Sequence, residues 1–124
     1  MKYLLGIDFG GGASKATLLC EDGTIFATAN CEYKTFYPKP GYAEQNPADW
    51  IDATVTNIKT VLEKSGVNPR DICALCLDAA THTAVIMDEN FSVIRNAIYW
   101  TDTRSVNEVN FLKENYREII EKQV

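Results

Sequence analysis

The sequence has no strongly basic segment, no long hydrophobic run and only one histidine in 124 residues. Its 12 Lys and Arg residues are outnumbered by 17 Asp and Glu, and this formal net charge of −5 disfavours nucleic-acid and anionic-membrane partners. No apolar run approaches the roughly 20 residues that span a bilayer. The N-terminus also reaches Gly6 and Asp8 too early to form a signal peptide. These absences, with 46% hydrophobic residues, predict a cytoplasmic globular protein of one domain.

Two of the four cysteines, Cys73 and Cys76, have the C-x2-C spacing of a zinc or redox motif. They lie in an apolar run, at residues 72–77, that has the length of a strand. Residues three apart on a strand point to opposite faces, so this pair would not share a metal ion. We expect all four thiols to behave as small buried hydrophobic groups, and a cysteine-based metal module is the alternative that a metal assay would test.

The first third of the chain predicts three antiparallel strands. Apolar runs occupy residues 3–9, 16–21 and 24–33, and Asp22-Gly23 between the last two is a hairpin signal. The following segment, residues 34–45, contains prolines and glycine without periodicity, and we expect it to leave the sheet.

A helix is predicted next, with Asn46 as its N-cap, Pro47 at its first position and Gly66 at its end. One apolar stripe is expected to face the core. It consists of Ile51, Val55, Ile58 and Leu62.

The remainder of the chain predicts a buried strand at 71–77, further strands at 84–88 and 93–99, and a last helix that begins near Asp102 or Ser105. This order of elements indicates an α/β fold with a right-handed crossover. Four residues share the predicted apolar face of the last helix: Val109, Leu112, Tyr116 and Ile119.

The first predicted strand leads Asp8 into a run of three glycines, and this segment has the character of a phosphate-binding loop. Glycine lets backbone N–H groups approach phosphate oxygens closely. A carboxylate beside phosphates would be repelled unless a divalent cation lay between them, so Asp8 fits a Mg²⁺ ligand, directly or through water. The residues predicted to contact nucleotide phosphates are Gly10, Gly11, Gly12, Ser14 and Lys15.

Commoner glycine motifs do not match this segment. The P-loop pattern fails because no glycine directly precedes Lys15, and the dinucleotide fingerprint would need a glycine at that same position. The letters Asp-Phe-Gly occur too near the N-terminus for a protein-kinase motif. A glycine-rich hairpin turn capped by Asp8 is the alternative without ligand binding.

The glycine loop and three later segments, at 41–50, 78–83 and 97–104, together resemble the N-terminal segment of the FGGY carbohydrate kinases. The resemblance is greatest to the xylulokinase-like branch and covers nearly the whole chain. It implies an actin-like, ribonuclease-H-like ATPase fold with a mixed five-stranded sheet, of which residues 1–124 form the N-terminal part of domain I. It also implies phosphorylation of a sugar hydroxyl by ATP and Mg²⁺, with xylulose, another pentulose or a polyol as substrate.

By this resemblance Asp8, Gly10 and Lys15 match the family's phosphate loop, whereas Gly11 stands where most members have Thr. Thr81 and His82 match a sugar-site segment in which the histidine is kept and the usual Gln is not.

The later segment Trp100 to Arg104 matches the family's W-x-D-x-R pattern, in which Trp100 could stack on a sugar and Asp102 and Arg104 could bind it. As alternatives, Asp102 caps the last helix and Arg104 pairs with a nearby acid. Glu44 and Gln45, in the proline-containing segment, could approach the sugar pocket, but Glu44 is at least as well explained as a solvated loop acid.

The resemblance also implies that the general base and the adenosine-binding domain lie beyond residue 124, so we expect residues 1–124 alone to be inactive. It allows a homodimer. A non-catalytic sugar- or nucleotide-binding module of the same fold is the main alternative. Another ATPase of this fold, such as a ROK-type kinase or an activator ATPase, is disfavoured by the segment 100–104.

Overall fold

The computed structural model describes residues 2–122, which form two β-sheets, two long helices and a short 3-10 helix. In chain order the elements are β1 (Tyr3–Phe9), β2 (Ala13–Cys20), β3 (Ile25–Glu32), β4 (Thr35–Phe36), β5 (Glu44–Gln45), α1 (Pro47–Ser65), the 3-10 turn (Pro69–Asp71), β6 (Ile72–Ala79), β7 (Ala97–Ile98) and α2 (Val106–Glu121).

The larger sheet is mixed, and its strand order is β3-β2-β1-β6. The pairs β1–β2 and β2–β3 are antiparallel as predicted, and β6 runs parallel to β1 after the crossover through α1. Within residues 2–122 this sheet has four strands, not the five that the resemblance implied. Of residues 84–88 and 93–99, which were predicted as further strands, only Ala97–Ile98 forms a strand, and the two segments pair with each other through isolated bridges, Ala84 with Ile98 and Met87 with Val93.

The smaller sheet has the order β4-β5-β7. Its strands β4 and β5 come from the segment that was expected to leave the larger sheet, β7 comes from residues 97–98, and β5 pairs with both of its neighbours in antiparallel fashion. Residues 34–45 leave the larger sheet as predicted, and the strands β4 and β5 within them were not predicted because two-residue strands are too short to show a periodic pattern.

Both ends of α1 match the prediction from sequence. The Asn46 side chain accepts a hydrogen bond from the Ala48 amide at 3.1 Å, and Pro47 occupies the first turn. At the other end, Gly66 has the left-handed φ of 65° and its amide donates to the Leu62 carbonyl.

The prediction of which face of α1 is buried was wrong. Ile51 and Val55 are exposed, whereas Ala53, Asn57 and Val61 are buried. Asn57 can occupy a core position because its Nδ2 donates to the Ser14 carbonyl at 2.8 Å, which satisfies a polar group that would otherwise be costly to bury. Ile58 packs at the edge of this core and Leu62 is half-buried.

The core lies between α1 and one face of the larger sheet. Alternate residues of β1 and β2 point toward the helix, and small side chains on β3 let the helix approach closely. The opposite face of this sheet is open within residues 2–122. The buried cluster consists of Tyr3, Leu5, Ile7, Ala16, Leu18, Cys20, Ala27, Ala29, Val61 and Val67.

The strand β6 was expected to be buried, but most of its residues are exposed. It pairs with β1 on one side only, and α1 covers β2 and β3 instead of β6. The expected burial of the thiols is correspondingly wrong for Cys73 and Cys76, while Cys20 is buried and Cys31 is half-buried. Residues 2–122 contain no group of three or more His, Cys, Asp or Glu side chains placed to hold a metal ion.

The last helix, α2, begins after Ser105, one of the two predicted start positions, and Asp102 does not cap it. No helix of the described part of the chain combines the length and apolar character needed to cross a membrane. The predicted apolar face of α2 is exposed along its length: Val109, Leu112, Tyr116 and Ile119.

Replacing Asn46 by Ala should lower the free energy of unfolding by about 1 kcal/mol, because the first turn of α1 loses its capping acceptor. Urea unfolding followed by circular dichroism measures this change. Lys59→Ala, on the exposed side of the same helix, is the matched control and should change stability by less than about 0.5 kcal/mol. Equal effects of the two substitutions would contradict the capping role.

Candidate phosphate-binding site

The glycine loop connects β1 to β2, and the Gly10 amide closes it by donating to the Ala13 carbonyl at 3.0 Å. Asp8 lies near the end of β1, directly opposite Lys15 on β2 and beside Asp78 on β6. Asp8 is exposed and makes no ion pair with another described residue. Its carboxylate is therefore free to bind a cation.

Each of the three glycine carbonyls accepts a hydrogen bond from another residue of the protein. The Tyr33 hydroxyl donates to Gly10 O, Gln45 Nε2 donates to Gly11 O at 2.7 Å, and the Tyr33 amide donates to Gly12 O at 3.0 Å. The amides of Gly11 and Gly12 donate to no acceptor within residues 2–122. The loop thus keeps two N–H donors available, which is the arrangement that binds an anion.

Gln45 is 2% exposed and its amide group is fully hydrogen bonded. Besides Gly11 O, Nε2 donates to Thr35 Oγ1 at 2.8 Å, and Oε1 accepts from Trp50 Nε1 at 3.1 Å. Sequence reasoning considered Gln45 only as a residue near a sugar pocket. The one local signal for its fixed position was that Gln45 directly precedes Asn46, the predicted N-cap of α1.

The Tyr33 hydroxyl is a stable donor at neutral pH. Burial, the negative charge of Asp8 and the neighbouring Tyr99 together raise the pKa of this phenol to about 12, with burial the largest cause. The protonated form that holds Gly10 O is therefore maintained. Tyr33 was not predicted as a site residue, because it lies 23 positions from the carbonyl it binds.

Ser14 was predicted to contact phosphate, and the structure places it elsewhere. Its side chain is 0% exposed and faces α1, where Oγ lies 3.2 Å from Thr54 Oγ1. Neighbouring residues on a strand point to opposite faces, so Lys15 lies on the other side with Asp8. Ser14 is therefore a residue of the helix–sheet interface.

Asp8, Lys15 and Asp78 line a groove of about 330 Å³ on the sheet face that α1 does not cover. Gly6 forms part of its floor. Asp78 was noted in the sequence only as the start of a matching segment, and the parallel pairing of β1 with β6 is what aligns it with Asp8.

Asp102 and Arg104 form an ion-pair network with Glu44, which also pairs with Arg95. Arg104 binds Asp102 through two bonds, Nε to Oδ1 at 2.8 Å and Nη2 to Oδ2 at 2.7 Å, and its Nη2 lies 2.7 Å from Glu44 Oε1. The Ala43 amide donates to Asp102 Oδ2 at 2.6 Å, and the guanidinium stacks on the Tyr42 ring at 4.0 Å. Hydrogen bonds from Arg104 hold the pKa of both carboxyls below the usual range.

Of the two interpretations left open for Arg104, the geometry favours pairing with acids. The Asp102 side chain is only 2% exposed, and the Arg104 side chain is 16% exposed. Both polar groups already have partners, so the network positions the segment around Trp100 and leaves little capacity for a sugar hydroxyl.

The other predicted sugar residues, Thr81, His82 and Trp100, lie on exposed loops. His82 has a left-handed φ of 56°, and its Nδ1 lies 2.9 Å from Thr81 Oγ1. A histidine in this backbone region stores strain, which is more common at functional sites than elsewhere. Trp100 is 58% exposed and its ring meets Tyr99 edge-on at 5.9 Å.

A second cavity of about 320 Å³ lies against the glycine loop, next to Gly10, Gln45 and Trp50. Thr83 reaches this cavity, whereas His82 and Trp100 do not line it. The structure therefore brings the phosphate residues together and leaves the predicted sugar residues around them in separate loops.

The fold and the loop correspond to a known class of proteins. The structure superposes on a ligand-bound xylulose kinase from Lactobacillus acidophilus with a TM-score of 0.85 and 25% identity, over 92% of this chain and 23% of that one. This neighbour is a sugar kinase of the actin-like, ribonuclease-H-like ATPase fold, and that fold describes the present mixed sheet.

In sequence, the chain is 34% identical to the xylulose kinase of Bacillus subtilis over 116 residues, and 31% identical to glycerol kinase 2 of Thermotoga maritima over 125 residues. The alignments cover 94% and 99% of this chain but 23% and 25% of the relatives, so it spans about a quarter of their length. The profile of the FGGY carbohydrate kinases, N-terminal domain, matches residues 3–124. The chain belongs to the FGGY family of carbohydrate kinases.

Asp102→Asn should reduce the acid sensitivity of folding. A carboxyl whose folded-state pKa lies below its ordinary value of 3.8 stabilises the fold above that pH, and this stabilisation is lost as the pH falls. Urea unfolding between pH 3 and pH 7 should therefore show a smaller loss of stability at low pH for the variant, and a lower stability than wild type at neutral pH.

The matched control is Asp52→Asn, an exposed carboxyl on α1. It should leave the pH dependence unchanged. Glu44 also has a lowered pKa, so part of the acid sensitivity remains in Asp102→Asn. An acid profile of Asp102→Asn that superposes on wild type would show that the network does not stabilise the fold.

Proposed function

We propose that the protein carrying this chain is an ATP-dependent kinase that phosphorylates a hydroxyl of a small sugar or polyol. A pentulose such as xylulose is the first candidate, because relatives of this chain are named xylulose kinase and glycerol kinase. The observation that carries the proposal is the glycine loop, whose carbonyls are all held while the Gly11 and Gly12 amides stay free beside the exposed Asp8.

The loop residues fit the phosphates of a nucleotide. The free amides of Gly11 and Gly12 would donate to phosphate oxygens, and the exposed Lys15 would add positive charge. Asp8 would hold Mg²⁺, directly or through water, since its carboxylate has no cationic partner among the described residues. Bound Mg²⁺ neutralises the charge that develops on the transferred phosphoryl group.

On the sugar side, the exposed pair Thr81 and His82 and the exposed Trp100 are the candidate contacts. A histidine ring can donate and accept hydrogen bonds with hydroxyls, and an indole ring can pack on the apolar face of a sugar. Asp102 and Arg104 would not contact the sugar themselves, and they would fix the loop that bears Trp100. The general base is expected in another part of the whole protein.

Asp8→Ala should lower the rate of ATP-dependent phosphorylation on the order of 100-fold, because the metal and its phosphates lose their carboxylate ligand. The assay uses the complete protein with a panel of ketoses and polyols, and it measures sugar phosphate and ADP together. Thermal unfolding of the unliganded variant should match wild type, since Asp8 has no ion-pair partner to lose.

The control is Asp52→Asn, which should retain the full rate. If the complete protein bound a sugar from the panel but phosphorylated none of them, the binding-module alternative would replace the kinase. Full activity of Asp8→Ala would remove the glycine loop from the mechanism.

A further inference from the structure

The hydroxyl of Tyr99 has no hydrogen-bond partner within residues 2–122, although the residue is only 8% exposed. The backbone around it is firmly held. The Tyr99 amide donates to the Ala43 carbonyl at 2.9 Å, and its own carbonyl accepts from the Asp102 amide at 2.9 Å. The ring therefore presents a polar group from a fixed position, and that group is not used by the fold.

This hydroxyl lies against Gly11. A Cβ atom built on Gly11 would overlap the Tyr99 hydroxyl oxygen, while the nearest ring carbon would be at an ordinary 3.7 Å. The backbone of Gly11 is not left-handed, so space and not conformation requires glycine here. At Gly12, by contrast, a Cβ would meet nothing within 4 Å. Gly11 is thus the loop position whose missing side chain makes room for another residue's hydroxyl.

The two tyrosines of the loop differ in what their hydroxyls do. Tyr33 donates to the Gly10 carbonyl and holds the loop from the protein side. The Tyr99 hydroxyl makes no such bond, and it lies against Gly11, whose amide is also without an acceptor among the described residues. Two unpaired donors at one end of a glycine loop, one of them on a rigid ring, form a preorganised place for an anionic oxygen.

We propose that the Tyr99 hydroxyl donates a hydrogen bond to a phosphate oxygen of the nucleotide bound at the glycine loop, together with the Gly11 amide. This inference rests on the proposed kinase function and adds a binding residue to it. Gly11 and Tyr99 then act as a pair, because glycine at position 11 is what admits the hydroxyl.

The test is the dissociation constant of MgATP, measured by calorimetry on the complete protein. Tyr99→Phe should weaken MgATP at least about tenfold, since a hydrogen bond to a charged group is lost. Adenosine, which lacks phosphates, should bind as in wild type. The unfolding temperature of the unliganded protein should not change, because the hydroxyl has no protein partner. Tyr37→Phe, at a 72% exposed tyrosine, is the matched control and should bind MgATP normally.

Two further variants test the pairing. Gly11→Thr should weaken MgATP because the new side chain displaces the Tyr99 hydroxyl. The double variant Gly11→Thr with Tyr99→Phe removes that overlap and supplies a hydroxyl at position 11, so it should bind MgATP more tightly than either single variant. A double variant no better than the singles would count against the pair.

The outcomes separate this inference from the proposed function. If wild type binds no MgATP, the kinase proposal fails and the role of Tyr99 fails with it. If wild type binds MgATP and Asp8→Ala loses phosphorylation while Tyr99→Phe binds MgATP as wild type does, only the role of Tyr99 is overturned. An equal loss of MgATP and adenosine binding in Tyr99→Phe would also overturn it, because the effect would then be structural.

Discussion

The buried amide of Gln45 is the interaction on which the geometry of the glycine loop depends. It is 2% exposed and satisfies the Gly11 carbonyl, the Thr35 hydroxyl and the Trp50 indole at once. A buried amide with all its bonds made is specific in direction, and loss of any partner leaves an uncompensated polar group. The Gly11 carbonyl and the Gly12 amide belong to one planar peptide group and point in opposite directions, so fixing the carbonyl toward Gln45 turns the Gly12 amide away from Gln45 and leaves it available to a ligand.

The two-residue strand β5 connects the phosphate loop to the segment around Trp100. Adjacent residues of a strand face opposite sides, so Gln45 reaches the glycine loop while Glu44 reaches Arg104. Pairing of β5 with β7 then sets the position of Tyr99 just beyond that strand. The charged network with Asp102 therefore acts on the phosphate loop through backbone pairing, and the candidate nucleotide contacts and the W-x-D-x-R segment form one structural unit.

Features that depend on neighbouring residues were predicted well. The caps Asn46 and Gly66 bounded α1 correctly, and the hairpin strands appeared where the apolar runs and the Asp22-Gly23 turn signal placed them. The buried stripe of α1 was missed because the core accepted Asn57, whose partner is 43 residues away. The exposure of Cys73 and Cys76 was missed because an apolar run predicts a strand but does not say which elements cover it.

The sequence by itself determined the α/β class, the glycine loop with Asp8 at its entrance and the family, since these depend on short motifs and local patterns. Only the tertiary structure decided the partners within the loop. It turned Ser14 toward α1, placed Asp78 beside Asp8, and brought Gln45 and Tyr99 to Gly11. Each of these contacts joins residues at least 34 positions apart, which is the separation of Gln45 from Gly11. Contacts across such separations produce no local pattern in the sequence from which they could be predicted.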